Sequence, residues 1–245
     1  MSSAALIPAR AGSARVPGKN IRDLAGHPLL AYSIAAAQEA GIFDAVLVST
    51  DSARIAAVAE RYGADVPALR PAKMATATSP DVEWVRYTLA KLAAEGREFD
   101  AFSILRPTSP FRGPDTIRRA YDQLVALGER VDSVRAVRLC AEHPGKMWVI
   151  EGELMRPLLD QPPGVPYHSR QYASLPKVYV QDSSLEFAWT SVITTHDSIA
   201  GERVAPFRTE DLEGFSIDYP EDWQRAEELV AAGRATLPRV AAPSR

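Results

Sequence analysis

Arg10, Arg15, Lys19 and Arg22 all precede the first acidic residue, Asp23, in a chain whose formal net charge is -3. These four cations follow the short uncharged run Ala4-Ala5-Leu6-Ile7-Pro8, in a stretch that also carries Gly12 and Gly18. Glycine lets a backbone turn tightly and approach a ligand closely. A nucleoside triphosphate carries roughly four negative charges at neutral pH, and a cationic, glycine-containing loop after a strand suits it as a cradle. The competing reading is a solvated basic loop. Two common phosphate motifs do not fit. A P-loop has four residues between its first Gly and the Gly-Lys-Ser/Thr, whereas five separate Gly12 from Gly18 and Asn20 follows Lys19. No G-x-G-x-x-G is present either.

The stretch Ile7-Pro8-Ala9-Arg10-x-Gly12-Ser13-x-Arg15-x-Pro17-Gly18-Lys19-Asn20 resembles the opening signature of the acylneuraminate cytidylyltransferases. Those enzymes activate sialic acid and related nine-carbon sugar acids with CTP. The resemblance implies that Ala9, Arg10, Gly12, Ser13, Arg15, Lys19 and Asn20 contact the nucleotide, with Arg10 and Lys19, and later in the chain Asp218, catalytic. The Asn20 amide offers a donor and an acceptor, enough to read a pyrimidine edge. The family's usual Lys between Ser and Arg is Ala14 in this chain.

A second signature, Leu105-Arg106-Pro107-Thr108-Ser109-Pro110-Phe111-Arg112, stands where the family has Leu-Gln-Pro-Thr-Ser-Pro-Leu-Arg. Two prolines fix the backbone, so the side chain at 106 and the Thr108 and Ser109 hydroxyls point predictably. In the family this turn faces the sugar acid. Arg106 replaces Gln, and a guanidinium can grip a carboxylate bidentately. By the same resemblance Arg70 is a cationic nucleotide contact, with Ser79 and Asp81 near the base. Arg170 and Gln171, with Leu175-Pro176, are similar to a substrate-facing Arg-Gln segment, at altered spacing. Asp182-Ser183 stands where the family has Asn-Gly. A third signature, Ser216-Ile217-Asp218-Tyr219-Pro220-Glu221-Asp222, resembles Asp-x-Asp-x-x-Glu-Asp, whose two aspartates hold magnesium. Asp218 remains and Ser216 replaces its partner, so the implied Mg2+ ligands are Asp218 and, from the end of the second strand, Asp51. Glu221 and Asp222 suit a first helical turn for electrostatic reasons alone.

The elements that must carry these residues follow from the hydrophobic pattern. Buried strands are expected at 4–8, 45–50, 99–105 and 134–139, with helices at about 28–40, 53–62, 80–95 and 114–127. Strand–helix alternation with short loops predicts a doubly wound, mostly parallel α/β sheet. The resemblance adds a Rossmann-like nucleotidyltransferase fold. In such sheets ligands gather beyond the carboxyl ends of the strands, where the loops of Arg10, Asp51 and Arg106 would meet. Five prolines and three glycines between Pro144 and Pro166 break the rhythm. Residues 142–181 therefore read as an arm inserted in one nucleotidyltransferase domain (1–236), and the resemblance makes that arm a homodimerisation element. Strands are expected at 178–180, 185–189 and 215–218, a last helix at 220–232, and a loose tail at 237–245.

The 245 residues hold 46% apolar and 24% charged side chains, ordinary for a soluble domain. The weakly negative balance argues against bulk binding to nucleic acid or an anionic membrane. No apolar run approaches 18 residues, and no basic, apolar leader opens the chain. A single cysteine, Cys140, leaves no internal disulfide, and the expected compartment is the cytoplasm. Cys140 reads as a buried small apolar residue, and His27, His143, His168 and His196 show no metal-ligand spacing. The expected activity is transfer of CMP from CTP to a sialic, legionaminic or pseudaminic type acid, with release of pyrophosphate. A Kdo-type (eight-carbon) cytidylyltransferase and a non-catalytic nucleotide-binding homologue are the alternatives.

Overall fold

The computed structural model describes residues 1–13 and 15–241. Ala14 thus lies outside the described residues, as do the last four positions of the expected tail. The strands are β1 (Ser3–Pro8), β2 (Asp23–Leu24), β3 (His27–Pro28), β4 (Ala45–Ser49), β5 (Ala101–Leu105), β6 (Ser133–Leu139), β7 (Trp148–Glu151), β8 (Leu154–Pro157), β9 (Tyr179–Trp189) and β10 (Val204–Arg208). The helices are α1 (Leu29–Ala40), α2 (Ala53–Arg61), α3 (Asp81–Ala94), α4 (Pro114–Leu127), α5 (Ser191–Thr195) and α6 (Pro220–Ala231). Six strands form the main sheet in the order β10-β6-β9-β5-β1-β4. All run parallel except β9, which is antiparallel to both β5 and β6.

β1 lies inside the sheet, between β5 and β4, and its residues are apolar on both sides of the pleat. Successive strand residues face opposite sides. Ala5 and Ile7 join Leu30, Ile34, Ile117 and Leu124 from α1 and α4, while Ala4 and Leu6 join Trp84, Val85, Leu92 and Val192 from α3 and α5. A sheet covered on both faces needs such continuous apolar runs. A third cluster joins Val16, Phe111, Ile217 and Trp223, so the loop after β1, the turn after β5 and the start of α6 are packed together. This cluster positions the site.

Three expectations change. Residues 215–218 form no strand: Ile217 is buried and its N–H donates to the Thr108 carbonyl at 2.8 Å, which ties the segment to the turn after β5 without pairing it in a sheet. The two short strands expected at 178–180 and 185–189 are one, β9. Ser183 adopts a positive φ of 62° within it, and the Asp182 carboxylate accepts the Ser184 N–H at 2.9 Å. The register against β6 shifts between Arg135 and Val137 at this irregularity. β10, which the pattern did not reveal, contains Pro206 and sits at the sheet edge, where a missing N–H is tolerated. Part of the expected tail is also held, since Leu237 and Val240 pack on the third cluster.

Candidate active site

Two adjoining clefts open at the carboxyl ends of the parallel strands, and Arg106, Thr108 and Asp218 line both. The first, about 400 Å3, is walled by Arg10, Ser13, Arg15, Lys19, Asn20, Arg70, Ser79 and Asp81. Residues scattered from 10 to 81 in sequence therefore meet in one cationic cavity. The second, about 740 Å3, is lined by Asp182 together with Arg138, Thr209, Gly214 and Tyr219.

The loop after β1 is shaped from within. The Asn20 side chain, buried, donates to the Arg10 carbonyl at 3.0 Å, and the Ala11 N–H donates to Asp51 Oδ1 at 2.8 Å. Asp51 lines neither cleft; its carboxylate holds this loop. Ala9 is fully buried and bonds through its N–H to the Ser49 carbonyl, so it too supports the loop. Gly12 lines neither cleft, and a Cβ there would sit 4.0 Å from Arg10 Nη1.

Lys19 Nζ lies 2.9 Å from the Ile217 carbonyl and 3.7 Å from Asp218 Oδ1. Arg15 Nη1 is 4.0 Å from the same carboxylate oxygen and its guanidinium stacks on the Tyr219 ring. Burial pushes the Lys19 pKa below its usual value; Asp218 opposes the shift, and Arg15 and Arg10 add to it. Asp218 offsets only part of the cost of burying this ammonium, and a further anion in the cleft would offset more. Ser216 Oγ donates to Asp218 Oδ2 at 2.8 Å, so the two residues stay together without a strand. Asp222 caps α6 by accepting the N–H groups of Asp218 and Tyr219 at 2.9 and 2.8 Å.

Arg70 forms the floor of the first cleft. It bonds to the Ser49 hydroxyl and carbonyl and lies over Trp84. Burial lowers its pKa to about 10, against the pull of Asp81 and Asp51. Asp81 accepts from Trp84 Nε1 and from Arg106 Nη2, each at 2.6 Å. Burial works to raise its pKa, but the Arg106 charge and hydrogen bond hold it below the usual carboxylate value.

Arg106 enters both clefts with its charge already shared between two protein carboxylates, both of them on Nη2. Its Nη2 also reaches Glu186 Oε1 at 3.2 Å, and Glu186 Oε2 accepts from Arg135 at 2.6 Å. Burial acts to lower the Arg106 pKa, and the two carboxylates raise it. Ser109 is buried and lines neither cleft. Arg170 and Gln171 lie in the segment between β8 and β9, also outside both clefts; Arg170 donates to the Val165 carbonyl and lies against the Tyr167 ring. Asp182 is buried in the second cleft, where it accepts from Thr209 Oγ1 at 2.6 Å. Gly214 allows this close packing, because a Cβ there would come within 2.5 Å of Asp182 Oδ2.

Sequence reasoning missed Trp84, Arg135, Arg138, Glu186 and Thr209. Glu186 had a signal: a carboxylate inside the apolar run Leu185–Trp189 needs a buried partner. Arg112 is buried as well, bonding to Ser33 Oγ and to the Arg106 and Ser184 carbonyls, and serves the turn rather than the clefts.

A mostly parallel sheet whose strand ends present a cationic cleft beside a second, acid-lined one defines the chain as a nucleotidyltransferase in fold. The cytidylyltransferase family model matches residues 4–156, and the chain belongs to that family. It is 38% identical over 236 residues to CMP-N,N'-diacetyllegionaminic acid synthase of Legionella pneumophila, covering 95% of this chain and 98% of that one. It is 43% identical over 108 residues to an N-acylneuraminate cytidylyltransferase of Escherichia coli, covering 44% of this chain and 25% of the other. Among solved structures, a CMP:2-keto-3-deoxy-manno-octonic acid synthetase complexed with CTP superposes with a TM-score of 0.70 at 14% identity, covering 95% of this chain and all of that one. At that identity the likeness concerns the fold. Among the described residues, no helix is long and apolar enough to cross a membrane.

Proposed function

We propose that the chain transfers CMP from CTP to the anomeric oxygen of a nonulosonic (sialic-type) sugar acid and releases pyrophosphate. The observation that carries this reading is the pair of clefts joined at Arg106, Thr108 and Asp218. CTP occupies the cationic cleft, with Arg10, Arg15, Lys19 and Arg70 facing the phosphates and Asn20, Ser79 and Asp81 nearer the base. The sugar acid occupies the second cleft. Its anomeric oxygen attacks the α-phosphorus at the junction and gives up its proton to solvent water, as the bond from the α-phosphorus to the pyrophosphate oxygen breaks. The protein holds the two reactants in line and neutralises charge on the departing pyrophosphate. Incubating the purified protein with CTP and a panel of nine-carbon and eight-carbon sugar acids tests this. Pyrophosphate release with a nine-carbon acid is expected. Release only with the eight-carbon acid would favour the Kdo-type reaction, and no release with any acid would overturn the proposal.

Mg2+ fits the residues at the junction. Asp218 and the Ser216 hydroxyl are hard oxygen donors 2.8 Å apart, and the described residues contain no group of three or more His, Cys, Asp or Glu able to cage a metal. Mg2+ commonly takes one or two carboxylates, several waters and substrate phosphates. When bound it would neutralise phosphate charge. Because Ser216 is neutral, Ser216→Asp is expected to tighten Mg2+ binding by the CTP complex in calorimetry and lower the Mg2+ concentration for half-maximal turnover. Asp218→Ala is expected to remove most activity. A folded Asp218→Ala protein with full Mg2+-dependent turnover would refute the assignment.

The working unit in this reading is a cytoplasmic homodimer. The β7–β8 hairpin and its flanks expose Ile150 (77%), Leu154 (78%) and Met155 (58%), an apolar face that a second copy would cover. Arg170 and Gln171 belong to this arm. Light scattering is expected to give twice the 26.7 kDa chain mass; a monomer at micromolar concentration would reject the dimer.

A further inference from the structure

The acceptor in the proposed reaction carries a carboxylate, yet its cleft is rich in acids. Asp182, Asp211, Asp218 and Asp222 line it, against only Arg106 and Arg138 among the cations. An anion placed there meets like charge unless a cation is held ready for it. The charge of Arg106 is already matched by two protein carboxylates, Asp81 and Glu186, both on its Nη2. Arg135, close by, is used by Glu186 and Gln181. Arg138 differs. It sits at the carboxyl end of β6, opposite Val180 of β9, and is exposed. Among the described residues it makes no hydrogen bond, ion pair or ring contact. It shares a cleft with four carboxylates and pairs with none of them. Such a guanidinium is placed where a ligand, and not the protein, completes the charge pair.

From this geometry we infer that Arg138 binds the carboxylate of the acceptor and is the residue that makes the enzyme require an acid. Arg106, in contrast, is a positioning residue: it fixes Asp81 in the nucleotide cleft and Glu186 beneath it. The inference rests on the acceptor class proposed above. A guanidinium offers a planar fork that matches a carboxylate with two hydrogen bonds, and an ammonium matches it less well.

The test compares the best acid of the panel with its neutral methyl ester, by calorimetric binding to the full-length protein and by steady-state turnover. Wild-type protein is expected to bind the acid about 10-fold to 100-fold more tightly than the ester, the range of one charge-assisted hydrogen-bond pair. Arg138→Gln should lose that preference by weakening the acid alone, raising its KM while leaving kcat within a few-fold and the KM for CTP unchanged. Arg138→Lys should restore part of the preference. Arg106→Gln should keep it. If Arg138→Gln retains the preference, or if Arg106→Gln is the variant that abolishes it, the inference is overturned while the proposed reaction stands. If the wild type turns over no acid, the proposed reaction fails and takes the inference with it.

Discussion

Lys19→Ala is expected to lower kcat for CMP transfer by about 10²–10³, the usual loss when one preorganised electrostatic contact is removed from a water-poor site. The side chain is largely buried and held between the Ile217 carbonyl and Asp218. Its position is therefore fixed before any nucleotide arrives, which is what makes a charge effective in a transition state. Its loss leaves Arg10 and Arg15 to face the phosphates, and ground-state binding should suffer less than turnover. Initial rates of pyrophosphate release at saturating CTP measure this. A thermal melt run beside them separates catalysis from folding, because the same ammonium tethers the 217–218 segment. Wild-type turnover in a folded Lys19→Ala protein would remove Lys19 from the catalytic set.

Glu186→Ala is expected to destabilise the fold by about 3–5 kcal/mol, the cost of breaking a buried ion pair from one side. For a chain of this size that corresponds to a Tm lower by roughly 6–20 °C. The carboxylate is only 3% exposed and bridges Arg106 and Arg135, each about a quarter exposed. Removing it leaves Arg135 with no carboxylate partner, only the Gln181 side chain, beside a second guanidinium. Asp81 would keep Arg106 partly paired, so activity at low temperature should fall less than stability. The pH dependence has a definite sign. Asp81 has a depressed pKa, so its contribution is complete above the ordinary carboxylate range and is lost as pH falls through the folded value. The acid limb of wild-type stability should therefore include Asp81, and Asp81→Asn should flatten it. An unchanged Tm for Glu186→Ala would show that the bridge contributes nothing net.

The strand–helix alternation and the loop after β1 were legible because both are local. Apolar runs such as Ala4–Ile7 and Ala45–Val48 admit few other readings, and the cations of residues 10–22 are adjacent in sequence. The rest depended on pairing over long distances. Gln181–Ser184 is a polar stretch that separates two apolar runs, and only the β6 ladder, which pairs β9 on both sides of it, joins them into one strand. Pro206 disguised β10 because a proline suits only the outermost strand, and sequence does not say which strand is outermost. Arg106 was read as a free guanidinium since Asp81 and Glu186, its partners, lie 25 and 80 positions away. Arg138 gave no signal at all. An unpaired arginine is visible only once every possible partner has been placed elsewhere.

The hydrogen bond from Lys19 to the Ile217 carbonyl spans 198 positions, and it bears on how the protein is made. A nascent chain carries its entire phosphate loop once twenty residues have been synthesised. The wall that orients this loop arrives only with Ile217, Asp218 and the Trp223 that packs behind them. Such non-local closure is slow relative to local helix formation. During most of translation the cations of the loop are thus unable to form the cleft, and incomplete chains would not sequester nucleotide. Purified chains truncated before Ile217 should retain CTP far less than the full 245-residue chain, making nucleotide capture a late milestone of biogenesis.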